Sequence, residues 1–159
     1  MPFLIDGHNL LWAINKCDEL FAPTDDVGLC RSVDTYCTRI GEFGEVIFDG
    51  TGPWSKQPYS GFRQVRVVFA GADIEADAVI EDTIRRSKNP RKLIIVSNDR
   101  RVRRAALKRK AVALASEDFW SKLMHCITRK RPQPEPTGKR HGLNATDTSK
   151  WLREFDLEP

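Results

Sequence analysis

The sequence lacks the features that would place a chain in a membrane or stabilise it by disulfides. No run approaches the roughly 18 consecutive apolar residues of a membrane-spanning helix. The first apolar run meets Asp6 with no basic segment before it, so we expect no signal peptide. The four cysteines form no Cys-x-x-Cys pair, and together with the three histidines they show no zinc-ligand spacing. We therefore expect a cytoplasmic protein with buried thiols at Cys30 and Cys37 and no membrane contact.

The net charge is small, but it is distributed unevenly. The 159 residues, of which 40% are hydrophobic and 30% charged, suffice for one globular domain, and the net charge is +4. Residues 1–84 carry 6 Lys/Arg against 14 Asp/Glu, whereas residues 85–110 carry 12 against 1. An acidic half followed by a basic segment indicates a polyanionic partner beside a cluster of carboxylates. Solvated helix faces are the alternative explanation.

Short apolar runs alternate along the chain with segments of helical periodicity. The runs are rich in Val and Ile and predict buried parallel strands over residues 3–5, 46–48, 65–69, 93–96 and 112–115. The periodic segments predict helices over residues 27–42, 74–88, 99–110 and 117–127, the last with Ser116 as its N-cap. This alternation predicts an α/β fold with a mostly parallel central sheet.

The chain is expected to form one domain followed by a tail. Residues 1–128 contain all the predicted strands and the helices between them. Residues 129–147 are rich in proline, glycine and basic residues, which is typical of a linker. Residues 148–159 place Trp151 and Phe155 on one side of a short helix, which is either packed or a docking segment.

Aspartates follow three of the predicted strands, at Asp6, Asp49 and Asp99. Asp77 lies in the helix predicted after the third strand, on one face with the acidic residues four positions before and after it. Ligands of open α/β sheets bind outside the carboxyl ends of the strands, so these side chains are expected to converge there. Their oxygen atoms favour Mg²⁺ or Mn²⁺ as a cofactor. For any one aspartate, a helix N-cap or a solvated strand end is the alternative.

The segment Asp6-Gly7-His8-Asn9 combines a turn residue with three polar side chains. Gly7 permits a tight turn, and the Asn9 amide can hold either Asp6 or a neighbouring backbone group. His8 is a candidate general base or, as the alternative, a partly exposed side chain at the start of a helix.

Three segments resemble the NYN domains, a group of PIN-like nucleases. Residues 4–11 (LIDGHNLL) are similar to the opening of these domains, where Tyr usually stands in place of His8. Residues 67–77 (VVFAGADIEAD) resemble the segment that supplies their middle acidic residue, and residues 95–100 (IVSNDR) resemble their Ser-x-Asp segment. Over about residues 2–127 the chain resembles the YacP-like NYN subgroup in order, spacing and strand context.

The resemblance implies a three-layer α/β/α PIN-like fold and a metal-dependent endoribonuclease. By position, it implies that Asp6, Asp77 and Asp99 are catalytic and hold Mg²⁺ or Mn²⁺, with Asp49 as a fourth ligand. It also implies that Asn9 belongs to the catalytic group and orients Asp6.

The predicted helix over residues 99–110 carries seven cations and one carboxylate, so pairs within the helix cannot neutralise its basic face. Cations of this kind bind phosphates without reading sequence. We expect an RNA-binding surface beside the acidic site, formed by Ser97, Arg100, Arg101, Arg103, Arg104 and Lys108.

The long loop predicted over residues 50–64 carries three aromatic side chains, Trp54, Tyr59 and Phe62. They either stack on unpaired bases or pack against the protein. The expected partner is RNA, single-stranded or structured. The alternative function is a non-catalytic RNA-binding or ribosome-associated adaptor with the same fold. A homodimer and an interaction module that works through residues 148–155 also stay open.

Overall fold

The computed structural model describes residues 2–17 and 25–129, which all belong to one compact unit, Met1–Arg129. The predicted linker, beyond its first residue, and the predicted C-terminal helix over residues 148–159 lie outside the described residues. Within the described part, no helix is long and apolar enough to cross a membrane.

Five parallel strands form the central sheet, in the order β3-β2-β1-β4-β5. Each strand coincides with a predicted apolar run to within two residues, so the sheet confirms the predicted α/β class, and every pairing in it is parallel. The strands are β1 (Phe3–Asp6), β2 (Gly44–Phe48), β3 (Val65–Phe69), β4 (Ile94–Val96) and β5 (Val112–Leu114).

Helices cover both faces of this sheet and complete the predicted three layers. One core lies between the sheet and α1, α2 and α5, and the other lies between the sheet and α3 and α4. Side chains of β1 alternate between the two, since Phe3 and Ile5 enter the first core and Leu4 the second. The helices are α1 (Gly7–Cys17), α2 (Asp26–Ile40), α3 (Ala76–Arg86), α4 (Arg100–Lys108) and α5 (Ser116–Thr128).

Three features of the helices differ from the sequence predictions, and the remaining helix ends are shifted by one or two residues. Helix α1 was not among the predicted helices, although Leu10, Ala13 and Ile14 are buried at helical spacing. Helix α3 begins at Ala76 instead of residue 74, so Asp73 precedes the helix and does not share its face. Ser116 is the first residue of α5 and not its N-cap, because both its N–H and its hydroxyl are used in contacts with other segments.

The chain leaves β1 and β4 in opposite directions across the sheet. From β1 the connection runs through α1 and α2 to β2 on one side, and from β4 it runs through α4 to β5 on the other side. Parallel α/β sheets carry their ligand crevice at the point where the strand order reverses, outside the carboxyl ends of the strands. In this protein, that crevice lies after Asp6 of β1 and Val96 of β4.

Helix α1 can begin immediately after β1 because Gly7 has no side chain. A Cβ atom at this position would lie 2.3 Å from the Phe48 ring, closer than any real contact allows. The ring of His8 then packs edge-on against Phe48, with 5.2 Å between the ring centroids. The Gly7–Phe48 contact thus places His8 and Asn9 directly above the end of β1.

Candidate active site

A cavity of about 740 Å³ opens at the predicted crevice. All four aspartates singled out from the sequence line it, and Asn9 and His8 lie at its wall. Two further carboxylates that the sequence analysis did not assign as ligands complete its acidic lining. The acidic residues around the cavity are Asp6, Asp49, Asp73, Glu75, Asp77 and Asp99.

Asp6 is the most deeply buried of these carboxylates, with 5% of the residue exposed. Its Oδ1 accepts a hydrogen bond from the Asn9 N–H at 3.1 Å, and its Oδ2 accepts one from the Ser97 hydroxyl at 3.2 Å. Burial raises the pKa of Asp6, and these two hydrogen bonds partly oppose that effect. The side chain is therefore held in one orientation at the floor of the cavity.

Asn9 orients Asp6 through its backbone and not through its side-chain amide. The amide oxygen of Asn9 accepts hydrogen bonds from the Asn98 N–H at 3.0 Å and from the Ser116 hydroxyl at 2.9 Å. Asn9 thereby ties the turn after β4 and the start of α5 to the start of α1. This is the second of the two roles that the sequence allowed for its side chain.

Ser97 is fully buried beneath the site. Its hydroxyl donates to Asp6 and accepts a hydrogen bond from the Asp99 N–H at 3.0 Å. This burial leaves Ser97 no surface for the RNA contact predicted for it. Ser97 instead fixes the position of Asp6, at the end of β1, relative to Asp99, the residue before α4.

Asp99 is the N-cap of helix α4. Its Oδ1 accepts hydrogen bonds from the N–H groups of Arg101 and Val102, at 2.6 and 3.2 Å. The alternative that the sequence left open, a helix N-cap, is thus realised, and the same carboxylate also lines the cavity.

Asp49 also serves a helix, although it lies 27 residues away from it. Its Oδ1 accepts a hydrogen bond from the Ala76 N–H at 2.7 Å, at the start of α3, where the N-cap residue Glu75 supplies no side-chain bond. His8 Nδ1 lies 3.2 Å from Asp49 Oδ2, a hydrogen-bond distance. The Ala76 N–H, and to a smaller extent His8, lower the pKa of Asp49.

Asp77 differs from the other three aspartates because no hydrogen-bond donor or cation within residues 2–17 and 25–129 reaches its carboxylate at bonding distance. It lies in the first turn of α3. Burial and the neighbouring charges of Asp6 and Asp99 raise the pKa of Asp77 to about 6. The Arg101 cation offsets only part of this effect, so the negative charge of Asp77 is destabilised in the cavity.

The donor chemistry of this cavity fits Mg²⁺ or Mn²⁺, because both cations prefer carboxylate oxygens. The side chains are not drawn together around a common point, however. Across the described residues, no group of three or more His, Cys, Asp or Glu side chains has the spacing of a metal site. Asp6, Asp49 and Asp99 are instead turned towards the N–H and hydroxyl groups described above.

The predicted basic residues lie beside the cavity on α4, and the structure divides them into two groups. Arg101 is held by carboxylates of α3, with its Nε 2.6 Å from Glu81 and its Nη1 3.4 Å from Glu75. Within the described chain the other four have no ion pair, and they are Arg100, Arg103, Arg104 and Lys108.

The three aromatic residues of the loop over residues 50–64 also separate. Tyr59 packs edge-on against Phe69, with 5.1 Å between centroids, and Phe62 packs against the first core. Trp54 is completely exposed. Packing therefore explains two of these side chains and leaves Trp54 as the candidate for base stacking.

Some residues of the site were not assigned from the sequence. Glu75 received no role, although it lies two positions before Asp77 and lines the same cavity. The Asn98 amide donates to both oxygens of Glu117 at 2.8 and 2.9 Å, and its oxygen accepts from the Ser116 N–H at 3.0 Å. Its position two residues after the end of β4, in a run of polar residues, is the signal that could have drawn attention to Asn98.

The three-layer architecture and the acidic crevice at the strand ends define a PIN-like α/β domain. A family model described as the YacP-like NYN domain matches residues 3–155. The chain therefore belongs to the YacP-like NYN family, and the match continues past residue 128, where the resemblance was expected to end. NYN domains have the PIN-like ribonuclease fold.

Solved structures show the same fold. A crystal structure of Rae1 (YacP) from Bacillus subtilis is 17% identical in sequence, with a TM-score of 0.67, covering 98% of this chain and 84% of that one. A Trp-to-Leu mutant of Rae1 gives 18% identity and a TM-score of 0.61, covering 80% and 77%. No curated protein matches the chain.

Proposed function

We propose that this protein is a metal-dependent endoribonuclease that hydrolyses RNA phosphodiester bonds at the acidic cavity. The observation that carries the proposal is the convergence of Asp6, Asp49, Asp77 and Asp99 on one cavity at the reversal point of the sheet. Membership of a family with a ribonuclease fold supports the same reaction class.

Asp6, Asp77 and Asp99 would hold the cation, with Asp49 as a fourth ligand. The bound Mg²⁺ or Mn²⁺ would lower the pKa of the attacking water and stabilise negative charge on the scissile phosphate. Asp77 suits this role because its charge has no partner at bonding distance among the described residues and is destabilised by Asp6 and Asp99. Ser97 and the Asn9 backbone hold Asp6 in place during the reaction. Attack by water leaves a 3′-hydroxyl and a 5′-phosphate.

The basic side chains of α4 supply the substrate contacts in this proposal. Arg100, Arg104 and Lys108 line a groove of about 440 Å³ along the helix that begins at Asp99. Their cations bind phosphates without base recognition, so the preferred substrate is RNA of many sequences. RNA as partner follows from this surface and from the family, whereas a ribosome contact and a homodimer stay predictions.

The decisive experiment compares cleavage of a mixed RNA pool by the wild type and by Asp6→Asn. We expect the wild type to cleave with Mg²⁺ or Mn²⁺ and to stop when EDTA is added. Asp6→Asn should lose cleavage while it keeps RNA binding, because the substitution removes a charge within the cavity and none from the basic surface. Asp118→Asn, an exposed carboxylate on α5, is the matched control and should cleave as the wild type does. Unchanged cleavage by Asp6→Asn would contradict the site.

A non-catalytic RNA-binding adaptor is the second candidate. The finding that favours it is the absence, among the described residues, of three side chains already spaced for a metal ion. This alternative predicts RNA binding without cleavage at any concentration of Mg²⁺ or Mn²⁺, so the same assay separates the two functions.

A further inference from the structure

A second basic surface lies at the amino ends of the strands, on the side of the sheet opposite the acidic cavity. It borders a groove of about 520 Å³ whose lining contains six cations and no carboxylate. Its residues precede β4 and β5, whereas the aspartates of the cavity follow strands or begin helices after them. We call it the distal basic surface, formed by Lys88, Arg91, Lys92, Lys108, Arg109 and Lys110.

The charges of this surface are not neutralised by neighbouring carboxylates. All six residues are exposed, and among residues 2–17 and 25–129 none of them forms an ion pair. The nearby Arg85 and Arg86 both pair with Asp82, so cations with partners exist on the same side of the molecule. An unpaired cluster of this size creates a positive potential that attracts a polyanion.

Local structural roles account for one of the six cations. The Arg109 guanidinium donates hydrogen bonds to the backbone carbonyls of Arg85 and Ser87, at 3.3 and 3.0 Å, at the C-terminal end of α3. Cations are favourable at such a helix end. None of the other five side chains makes a hydrogen bond to the described residues.

Lys110 occupies a backbone position that favours glycine. Its φ is +60°, in the left-handed region, where a side chain costs about 1–2 kcal/mol. The turn is closed by the Lys110 N–H bonding to Leu107 O and the Ala111 N–H bonding to Ala106 O, the arrangement in which helices commonly end with glycine. A cation thus stands at a position where the fold alone would be more stable with glycine.

The distal basic surface is connected to the acidic cavity by one row of cations on α4. Arg100, Arg104 and Lys108 are four residues apart and therefore lie on one face of the helix. Lys108 lines both the groove along α4 and the distal groove. Helix α4 spans about 13 Å at 1.5 Å per residue, so a phosphate bound at the distal surface is not the phosphate being cleaved.

We propose that the distal basic surface binds the phosphate backbone of the RNA substrate away from the scissile bond. The RNA follows α4 from the acidic cavity, and the protein therefore prefers RNA long enough to reach both ends of the helix. This inference rests on the proposed function and adds a second contact region and a length preference to it.

RNA fits this surface better than an anionic membrane does. Surfaces that bind membranes combine cations with apolar side chains that enter the lipid. Pro90 is the one apolar residue in the lining of the distal groove. The row of cations that continues along α4 to the cavity also suits a linear polyanion.

The test measures RNA binding in full-length protein that carries Asp6→Asn to prevent cleavage. Arg91→Gln/Lys92→Gln is compared with the matched double variant Arg31→Gln/Lys122→Gln, which removes two exposed cations from helices on the other face of the sheet. Fluorescence anisotropy gives the affinity for a long single-stranded RNA and for a short oligonucleotide across a range of KCl concentrations.

We expect Arg91→Gln/Lys92→Gln to bind the long RNA about tenfold more weakly at low salt and to lose most of the preference for long over short RNA. The slope of log affinity against log salt should fall by about 1.4, since each phosphate contact to a single strand contributes about 0.7. If the control variant weakens binding of the long RNA as much as Arg91→Gln/Lys92→Gln does, the proposal is overturned.

Lys110→Gly separates binding from folding. Glycine suits the left-handed backbone, so this variant should have an unchanged or higher Tm and still bind long RNA more weakly. If neither Lys110→Gly nor Arg91→Gln/Lys92→Gln changes the affinity for long RNA, the proposal is contradicted.

A membrane is the other outcome of the test. If these variants lose binding to phosphatidylserine vesicles but keep their RNA binding, the proposal is overturned in favour of a membrane. If the wild type cleaves no RNA, the proposed function fails, while the salt slopes still decide whether this surface binds RNA.

Discussion

Asp77 is the aspartate of the cavity whose negative charge is most destabilised by its surroundings. Burial, Asp6 and Asp99 raise its pKa from 3.8 to about 6 in the folded protein. The folded state therefore holds this proton more tightly than the unfolded chain does. Protonation of Asp77 therefore contributes to the free energy of unfolding. This contribution is fully present below a pH of about 4 and is lost as the pH rises through about 6.

Asp77→Asn should consequently stabilise the metal-free protein above pH 6. Because the side chain is partly exposed, solvent screening limits the expected gain to on the order of 1 kcal/mol at pH 7.5, and the gain should vanish near pH 4. Urea unfolding in EDTA at both pH values measures it. A gain that is equal at both pH values would show that charge is not the cause.

Trp54 is the aromatic residue of the 50–64 loop that packing does not explain. If an unpaired base stacks on it, Trp54→Ala should weaken binding of single-stranded RNA by about 1–3 kcal/mol. Trp12→Ala is the matched control, since Trp12 is also exposed but is covered by the Lys16 ammonium group, 3.6 Å from the ring centroid. Equal losses in the two variants, measured by anisotropy, would remove the stacking role from Trp54.

At the scale of the element, helices α3 and α4 both begin on carboxylates of the cavity. Asp99 caps α4 directly, and Asp49 accepts the first N–H of α3 from another segment. The aspartates are therefore needed for local structure as well as for the proposed chemistry. Substitutions that keep the hydrogen bonds and remove the charge can separate the two roles.

Asp99 allows that separation. Asn is as good an N-cap as Asp, so Asp99→Asn should unfold at nearly the wild-type urea concentration, whereas Asp99→Ala should lose about 1 kcal/mol. Both variants should lose Mg²⁺- or Mn²⁺-dependent cleavage. Full activity in Asp99→Asn would mean that this carboxylate serves only the helix.

The elements were largely predictable from the sequence because local patterns define them. Each strand is a short run rich in Val, Ile, Leu or Phe, mostly buried in the central strands β1, β2 and β4, and every such run was recognised. Helix α1 was foreseen only as a helix start at His8 and was given no range, because Gly7 and His8 are weak helix signals and Gly7 is explained by the distant ring of Phe48. Element types thus follow from local sequence, whereas some of their boundaries depend on tertiary contacts.

The convergence of the aspartates was predictable in the same way, since strand ends meet at one edge of a parallel sheet. The partner of each carboxylate was not. Ser97 reaches Asp6 across 91 residues, and the Asn9 amide serves Ser116 across 107. Such pairings depend on the packing of α1, β4 and α5 together, which no local pattern records.

At the scale of the whole molecule, the charge division read from the sequence becomes spatial. The acidic residues of the cavity lie after the strands, and the unpaired cations run along α4 to the opposite edge of the sheet. The carboxylates would repel a polyanion on their own, so a cation in the cavity would be needed for RNA to approach them. The basic row would then hold the RNA beside the cavity.

The folded unit should persist without residues 130–159. Among residues 2–17 and 25–129, the side chains of both hydrophobic cores lie between Phe3 and Ile127, and the last strand ends at Leu114. We therefore expect a chain ending at Arg129 to unfold cooperatively in urea and to keep metal-dependent cleavage of a short RNA. The family match reaches residue 155, so the removed segment is expected to matter for partners or substrate choice more than for the core. A truncated chain that shows no cooperative unfolding would place part of the core's stability in the segment after Arg129.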